Sequence, residues 1–230
     1  MSNKIKNKKG RITNLIAYNE PRSHMAEQYR LIRTNIEFSS IDKQVKTIMV
    51  TSAEPSEGKT TTASNLAIVF AQQEKTVLLI DADLRKPTVH YSFKLENSQG
   101  LTTVLTNRTN IEATIHKGEI DNLDILTSGP IPPDPSLLLN SKALVTMIKA
   151  LKLKYDYIII DTPPVLAVAD SQILANKCDG VVMVIGSGKT NKTKIVKAKE
   201  SLVRNNANLL GAVLNGSKSQ DQKSYNYELN

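Results

Sequence analysis

Apolar runs recur along the chain at Ile48-Met49-Val50, Val77-Leu78-Leu79-Ile80, Tyr157-Ile158-Ile159-Ile160, Val181-Val182-Met183-Val184-Ile185 and Leu209-Leu210-Gly211-Ala212-Val213-Leu214, with a similar run, broken by Asp124, at Leu123-Asp124-Ile125-Leu126. A run without polar alternation reads as a strand buried on both faces, the signature of a parallel sheet. Between these runs the spacing changes. Met25, Tyr29, Ile32 and Ile36 recur at helical intervals within 25–38, Leu66, Ala67, Val69 and Phe70 sit in a helix-forming stretch over 60–73, and helical patterns cover 136–154, 169–177 and 192–204. Strand and helix alternating in this way predict an α/β domain, doubly wound, with a mainly parallel sheet flanked by helices and right-handed crossovers. Ligands of such sheets bind beyond the carboxyl ends of the strands.

The two ends of the chain lack this pattern. Residues 1–22 carry Lys4, Lys6, Lys8, Lys9 and Arg11 and end near Glu20-Pro21, which predicts a flexible basic arm, with Ser23 placed to cap the following helix. Residues 217–230 are polar, bury too little to fold alone, and hold Tyr225 and Tyr227 on a flexible tail. The organised domain is therefore expected over 23–216. The formal net charge of +8 favours anionic partners, while aromatics at 4% and the absence of Trp remove the stacking platforms that single-stranded nucleic acid requires, so no nucleic acid is expected. One cysteine, Cys178, excludes an intramolecular disulfide. No apolar stretch has the length of a signal peptide core or a membrane span, and a cytoplasmic location is expected.

Chemistry enters at Ala53-Glu54-Pro55-Ser56-Glu57-Gly58-Lys59-Thr60-Thr61, between the first strand and the helix over 60–73. Gly58 and its neighbours Ser56, Glu57, Lys59, Thr60 and Thr61 are placed to turn backbone N–H groups toward an anion at a helix N-terminus. Lys59 would reach the β- and γ-phosphates of a nucleotide, and the Thr60 hydroxyl would sit on Mg²⁺. The strict phosphate-loop pattern asks for Gly where Ala53 stands.

Asp81, Asp83 and Asp161 lie at or just past strand ends on the edge from which this loop emerges. Asp161 closes an Ile-Ile-Ile-Asp run, the position from which a carboxylate holds Mg²⁺ beside such a loop. Asp81 and Asp83 are two apart, so a straight strand would aim both at one face. One serves the metal, with Thr60 and Asp161, and the other accepts a proton from an incoming hydroxyl. Arg85 and Lys86 adjoin them, to neutralise phosphate or pair with an acid. Asn215 ends the last strand on the same edge, where its amide would hydrogen-bond an adenine or form a turn. Ser136 is placed to cap the helix after a proline-rich loop. Glu27, Arg30 and Arg33 fall at steps of three on one helix stripe, either as intrahelical ion pairs or as a contact with another subunit.

With these residues in view, the chain resembles the bacterial tyrosine kinases (BY-kinases), in particular the kinase subunits of Gram-positive capsule and exopolysaccharide systems. The loop from Ala53 to Thr60 is similar to the family's Walker A. Val77 to Arg85 resembles its Walker A′, Ile158 to Pro164 its Walker B, and Glu27, Arg30 and Arg33 its Glu-x-x-Arg-x-x-Arg subunit-contact motif. The resemblance implies an ATP- and Mg²⁺-dependent P-loop fold of the MinD/BY-kinase type, and an enzyme that phosphorylates protein tyrosines. It implies Lys59, Asp81 and Asp83 in catalysis, with Asp81 the candidate base, and autophosphorylation of Tyr225 and Tyr227 between subunits of a ring-like homo-oligomer. It also implies a membrane-embedded activator that brings the kinase to the inner face of the membrane, a cognate tyrosine phosphatase, and a part in capsule or exopolysaccharide synthesis. Ser56 stands where the family usually has Gly, and the tail has two tyrosines rather than a cluster. The alternative is a MinD-like assembly or partitioning ATPase, whose signature lysine would occupy the position held here by Glu54.

Overall fold

The computed structural model describes residues 15–39 and 44–217. Tyr225, Tyr227 and the lysine-rich stretch before Leu15 lie outside the described residues. Two helices, α1 (Ile16–Asn19) and α2 (His24–Ser39), precede the first strand, β1 (Thr47–Ser52), and the long helix α3 (Lys59–Ala71). Then come β2 (Val77–Asp81), the short helices α4 (Val89–Phe93), α5 (Leu101–Leu105) and α6 (Ile111–Thr114), and the strands β3 (His116–Lys117) and β4 (Leu123–Leu126). The chain continues through α7 (Pro135–Leu139), α8 (Lys142–Lys154), β5 (Tyr157–Asp161), α9 (Asp170–Ala175), β6 (Gly180–Gly186), α10 (Lys192–Arg204) and β7 (Leu209–Asn215).

The strands form one sheet in the order β3-β4-β2-β5-β1-β6-β7, parallel except for the β3–β4 pair. Every residue of β1 and β2 is buried, as unbroken apolar runs require. Successive side chains go to opposite faces: Ile48 and Val50 join the cluster under α1, α2 and α3, while Met49 joins the one under α8, α9 and α10. Helix α3 is buried over all of 62–71, because it is held between the sheet and the α1–α2 pair. The central strands β2 and β5 end level, with Asp81 the direct partner of Asp161, and Asp161 pairs with Val50 of β1, which runs on two residues to Ser52. That register sets the site.

The structure corrects three expectations. Residues 15–19, assigned to the flexible arm, form a helical turn whose Leu15 and Ala17 are fully buried, so the folded chain starts at least eight residues before Ser23. The helix expected over 136–154 is two helices, α7 and α8, because Ser141 caps a new start by accepting from the Leu144 amide. Asp134, not Ser136, caps α7, accepting from Leu137 N. Ser23 does accept from the Ala26 amide at 3.2 Å.

Candidate active site

The loop leaves β1 at Ser52 and enters α3 at Lys59. Gly58 takes a left-handed conformation, φ 90°, which favours glycine, and a Cβ there would lie 2.1 Å from Asn215 Nδ2 and push that amide off the loop. Asn215 packs against the loop from β7 and donates to the Glu57 carbonyl at 2.9 Å. In this structure its amide braces the loop. Glu57, 3% exposed, turns its carboxylate back to accept from the Glu54 amide at 2.9 Å and the Gly186 amide at 3.3 Å. Ser56 sits at φ 63°, where glycine would be at ease; a non-glycine residue there carries about 1–2 kcal/mol of backbone strain. Glu54 pairs with Lys194 of α10.

Two short polar pairs lie at the mouth of α3. Lys59 Nζ donates to Asp83 Oδ2 at 2.8 Å, and Thr60 Oγ1 donates to Asp161 Oδ2 at 2.6 Å. The Thr88 hydroxyl donates to Thr60 Oγ1 at 3.0 Å. Burial works against the charge on Lys59, but Asp161 and Asp83 beside it hold its ammonium above the usual lysine value. Burial pushes the Asp161 carboxyl up to about 6 against the pull of Lys59 and Thr60. Burial, reinforced by Asp161 on the next strand, pushes Asp81 up to about 8.

Ile80, Ala82 and Leu84 all pack into the cluster under α8, α9 and α10, so the alternation continues past the strand end and Asp81 and Asp83 share the other side, both near Lys59 but with different partners. Asp81 is fully buried and accepts backbone amides from Asp83 at 3.2 Å, Thr88 at 3.1 Å and Val89 at 3.0 Å. Asp83 instead lines a cavity of about 390 Å³ together with Ser56, Gly58, Lys59, Thr60 and Arg85. Asp81, the candidate base of the sequence reading, and Asp161 lie behind it and are not among the residues that line it. Asp83 Oδ1 also accepts from the Lys86 amide at 3.1 Å, which fixes the loop.

The residues fit a nucleotide with Mg²⁺. Asp161 Oδ1 is buried with no hydrogen-bond partner, an orphaned acceptor beside the Thr60 hydroxyl. A hydroxyl with one or two carboxylates is the sparse donor set Mg²⁺ takes when phosphate oxygens and water complete its octahedron.

Sequence reasoning missed the support under Arg85. Its Nε donates to Asp170 Oδ2 at 2.8 Å and its Nη2 to Asp170 Oδ1 at 3.1 Å and Ser136 Oγ at 3.3 Å, and Ser136 donates to Asp170 Oδ1 at 2.7 Å. Asp170 lies 85 residues from Arg85, and no motif joins them. The stripe expected of Glu27, Arg30 and Arg33 is also divided. Glu27 and Arg30 pair with each other at 2.8 Å on the outer side of α2. Arg33 is 9% exposed and turned into its own chain, where its Nη1 donates to the Val69 carbonyl at 2.8 Å.

Comparison with known proteins places these residues in context. A family model described as an AAA domain matches residues 45–192. The tyrosine-protein kinase YwqD of Bacillus subtilis is 56% identical over 214 residues, 93% of this chain and 90% of that protein. The putative tyrosine-protein kinase CapB of Staphylococcus aureus is 39% identical over 96% of each chain. Among solved structures, the chimerical protein CapA2B2 superposes with a TM-score of 0.85 at 43% identity, over 87% of this chain and 88% of that one. The cell division ATPase MinD of Pyrococcus furiosus gives 0.65 at 26% identity, over 76% and 75%.

Proposed function

The chain belongs to the bacterial tyrosine-protein kinases, and from that premise we propose that its site transfers the γ-phosphoryl of ATP to the tail tyrosines Tyr225 and Tyr227 of a neighbouring subunit. The observation that carries this reading is the convergence of Lys59, Thr60, Asp83 and Asp161 at one strand edge, with the Lys59–Asp83 and Thr60–Asp161 pairs at 2.8 and 2.6 Å.

The loop amides and Lys59 receive the phosphates, and Lys59 exchanges Asp83 for a phosphate oxygen as it does so. Mg²⁺ would be held by the Thr60 hydroxyl with Asp161, and would supply neutralisation of the β- and γ-phosphate charge. Once released from Lys59, the Asp83 carboxylate faces the cavity and takes the phenol proton as the phenol oxygen bonds to the γ-phosphorus and the bridging oxygen leaves with ADP. An unperturbed phenol has a pKa of about 10, so a positioned acceptor matters. Asp81, with its oxygens occupied by three amides, holds the loop that presents Asp83. A second reading keeps Asp81 as the base, favoured by its rise to about 8. The cavity-facing position of Asp83 gives it precedence.

The MinD-like reading is set aside on the loop itself. The place of a signature lysine holds Glu54, already committed to Lys194 of its own chain. By likeness to the relatives, we extend the proposal to a membrane-embedded activator at the inner face of the membrane, a ring-like homo-oligomer, a cognate phosphatase and a part in capsule or exopolysaccharide synthesis. Among the described residues no helix is long and apolar enough to cross a membrane.

The test incubates the protein with ATP and Mg²⁺, with and without an activator fragment, and maps phosphate by mass spectrometry. Phosphate on Tyr225 and Tyr227 is expected, and ATP hydrolysis with no phosphotyrosine in either condition would refute the reading. Asp83→Asn should lower kcat by about 10²-fold or more with ADP affinity little changed. If Asp81→Asn alone does so in a folded protein, the base is Asp81.

A further inference from the structure

We propose that α1 and α2 act as a clasp on the phosphate-loop helix α3, and that Asn65 is the positioning residue through which the clasp sets the nucleotide end of that helix. The inference rests on the nucleotide reading above.

The ties run along the whole of α3. At its first turn, the Tyr29 side chain of α2, 6% exposed, lies against Thr62. One turn on, Asn65 is fully buried; its Oδ1 accepts from the Ala17 amide of α1 at 2.9 Å, and its Nδ2 donates to the Thr61 carbonyl at 2.8 Å. Near the far end Gln72 Nε2 donates to the Ala17 carbonyl at 2.9 Å, so both backbone groups of Ala17 are held by side chains of the α3 segment. Arg33 of α2 completes the set by donating to the Val69 carbonyl, where a helix leaves acceptors unpaired and a cation is favoured.

The polarity of Asn65 makes the link specific. Its oxygen faces a donor in α1 and its nitrogen an acceptor in the turn that carries Thr60 and Thr61. Displacement of α1 therefore takes from Asn65 the Ala17 amide that orients its side chain, and with it the alignment of Nδ2 on the Thr61 carbonyl. A clasp coupled to that turn must also be coupled to the phosphate the turn binds. Linkage makes the effect reciprocal: nucleotide tightens α1, and α1 tightens nucleotide.

The first measurement uses the unmodified full chain, following hydrogen exchange of the Ala17 amide with and without ADP and Mg²⁺. ADP should slow that exchange. Unchanged exchange under saturating ADP would overturn the proposal, whereas failure to bind ADP at all would overturn the nucleotide reading instead. The second uses Asn65→Ala, Asn65→Asp, which sets an acceptor against the Thr61 carbonyl, and Ala17→Pro, which removes the N–H from the α1 side with the sequence of α3 unchanged. Each should weaken a fluorescent ADP analogue 3- to 10-fold and raise KM for ATP by the same factor, with kcat within twofold. Leu153→Ser, on the exposed side of α8, should leave ADP affinity unchanged. A purely structural role for Asn65 would lower the melting temperature and leave ADP affinity of the folded variants at the wild-type value, and that result also overturns the proposal.

Discussion

At the scale of single residues, the site is a small store of unfavourable burial held ready for a ligand. Asp81 and Asp161 are both fully buried and sit in register on adjacent strands. Their carboxyls are raised to about 8 and about 6. An acid raised in the folded state binds its proton more tightly there than in the unfolded chain, so it favours folding at low pH and loses that contribution as pH climbs through the folded value. For Asp161 the loss falls between about pH 4 and pH 6, and for Asp81 it extends to about pH 8. The ligand-free protein should therefore lose stability as pH rises from 4 to 8. Asp161→Asn removes one buried charge, keeps an acceptor for Thr60 and leaves Lys59 its bond to Asp83. We expect this variant to be more stable than the parent at pH 8 by about 1–3 kcal/mol, with the difference vanishing near pH 4 and phosphoryl transfer lost. Thermal melts across that pH range read the effect; a variant less stable at pH 8 would contradict it.

At the scale of elements, the loop after β2 is fastened by a network that reaches across the sheet edge to α7 and α9. Asp170 at the start of α9 is fully buried, while the Arg85 side chain is 41% exposed. Removing the exposed partner should therefore hurt more than neutralising the buried one. Arg85→Ala leaves a buried carboxylate with only the Ser136 hydroxyl and should cost about 2–3 kcal/mol, somewhat below a fully buried pair because water reaches the gap. Asp170→Asn keeps the packing and one acceptor and should cost about half as much. Urea denaturation with an unchanged slope separates the two, and equal or reversed costs would refute the account. The same scale shows where local pattern is weak. The helices α4, α5 and α6 and the strand β3 have five residues or fewer, too short to display a period, and none was predicted. The break between α7 and α8 rests on a single capping bond from Ser141, which apolar spacing over 136–154 conceals.

At the scale of the whole molecule, α2 has two sides with different work. Its inner side, through Tyr29 and Arg33, holds the phosphate-loop helix. Its outer side carries Glu27 and Arg30, with Leu31 and Phe38 exposed nearby. If subunits meet there, Glu27→Ala with Arg30→Ala should lower the oligomer mass in light scattering and reduce phosphorylation between subunits. Arg33→Ala should instead lower the melting temperature with mass unchanged. An oligomer insensitive to Glu27 and Arg30 would return that face to solvent.

The sequence by itself determined the strand and helix alternation, the phosphate loop at 53–61 and the carboxylates at the strand ends. These follow from periodicity and turn chemistry, which act over a few neighbouring residues. Only the tertiary structure decided how those groups are used. Asp81 and Asp83 are used differently because backbone amides of Asp83, Thr88 and Val89 close over the first while Lys59 meets the second, and Asn215 braces the loop because β7 lies beside Gly58. Arg33 turns inward to a carbonyl 36 residues away, and Asn65 reaches an amide 48 residues away. Such contacts depend on which elements pack together, and a one-dimensional pattern specifies that a face will be buried but not which partner will cover it.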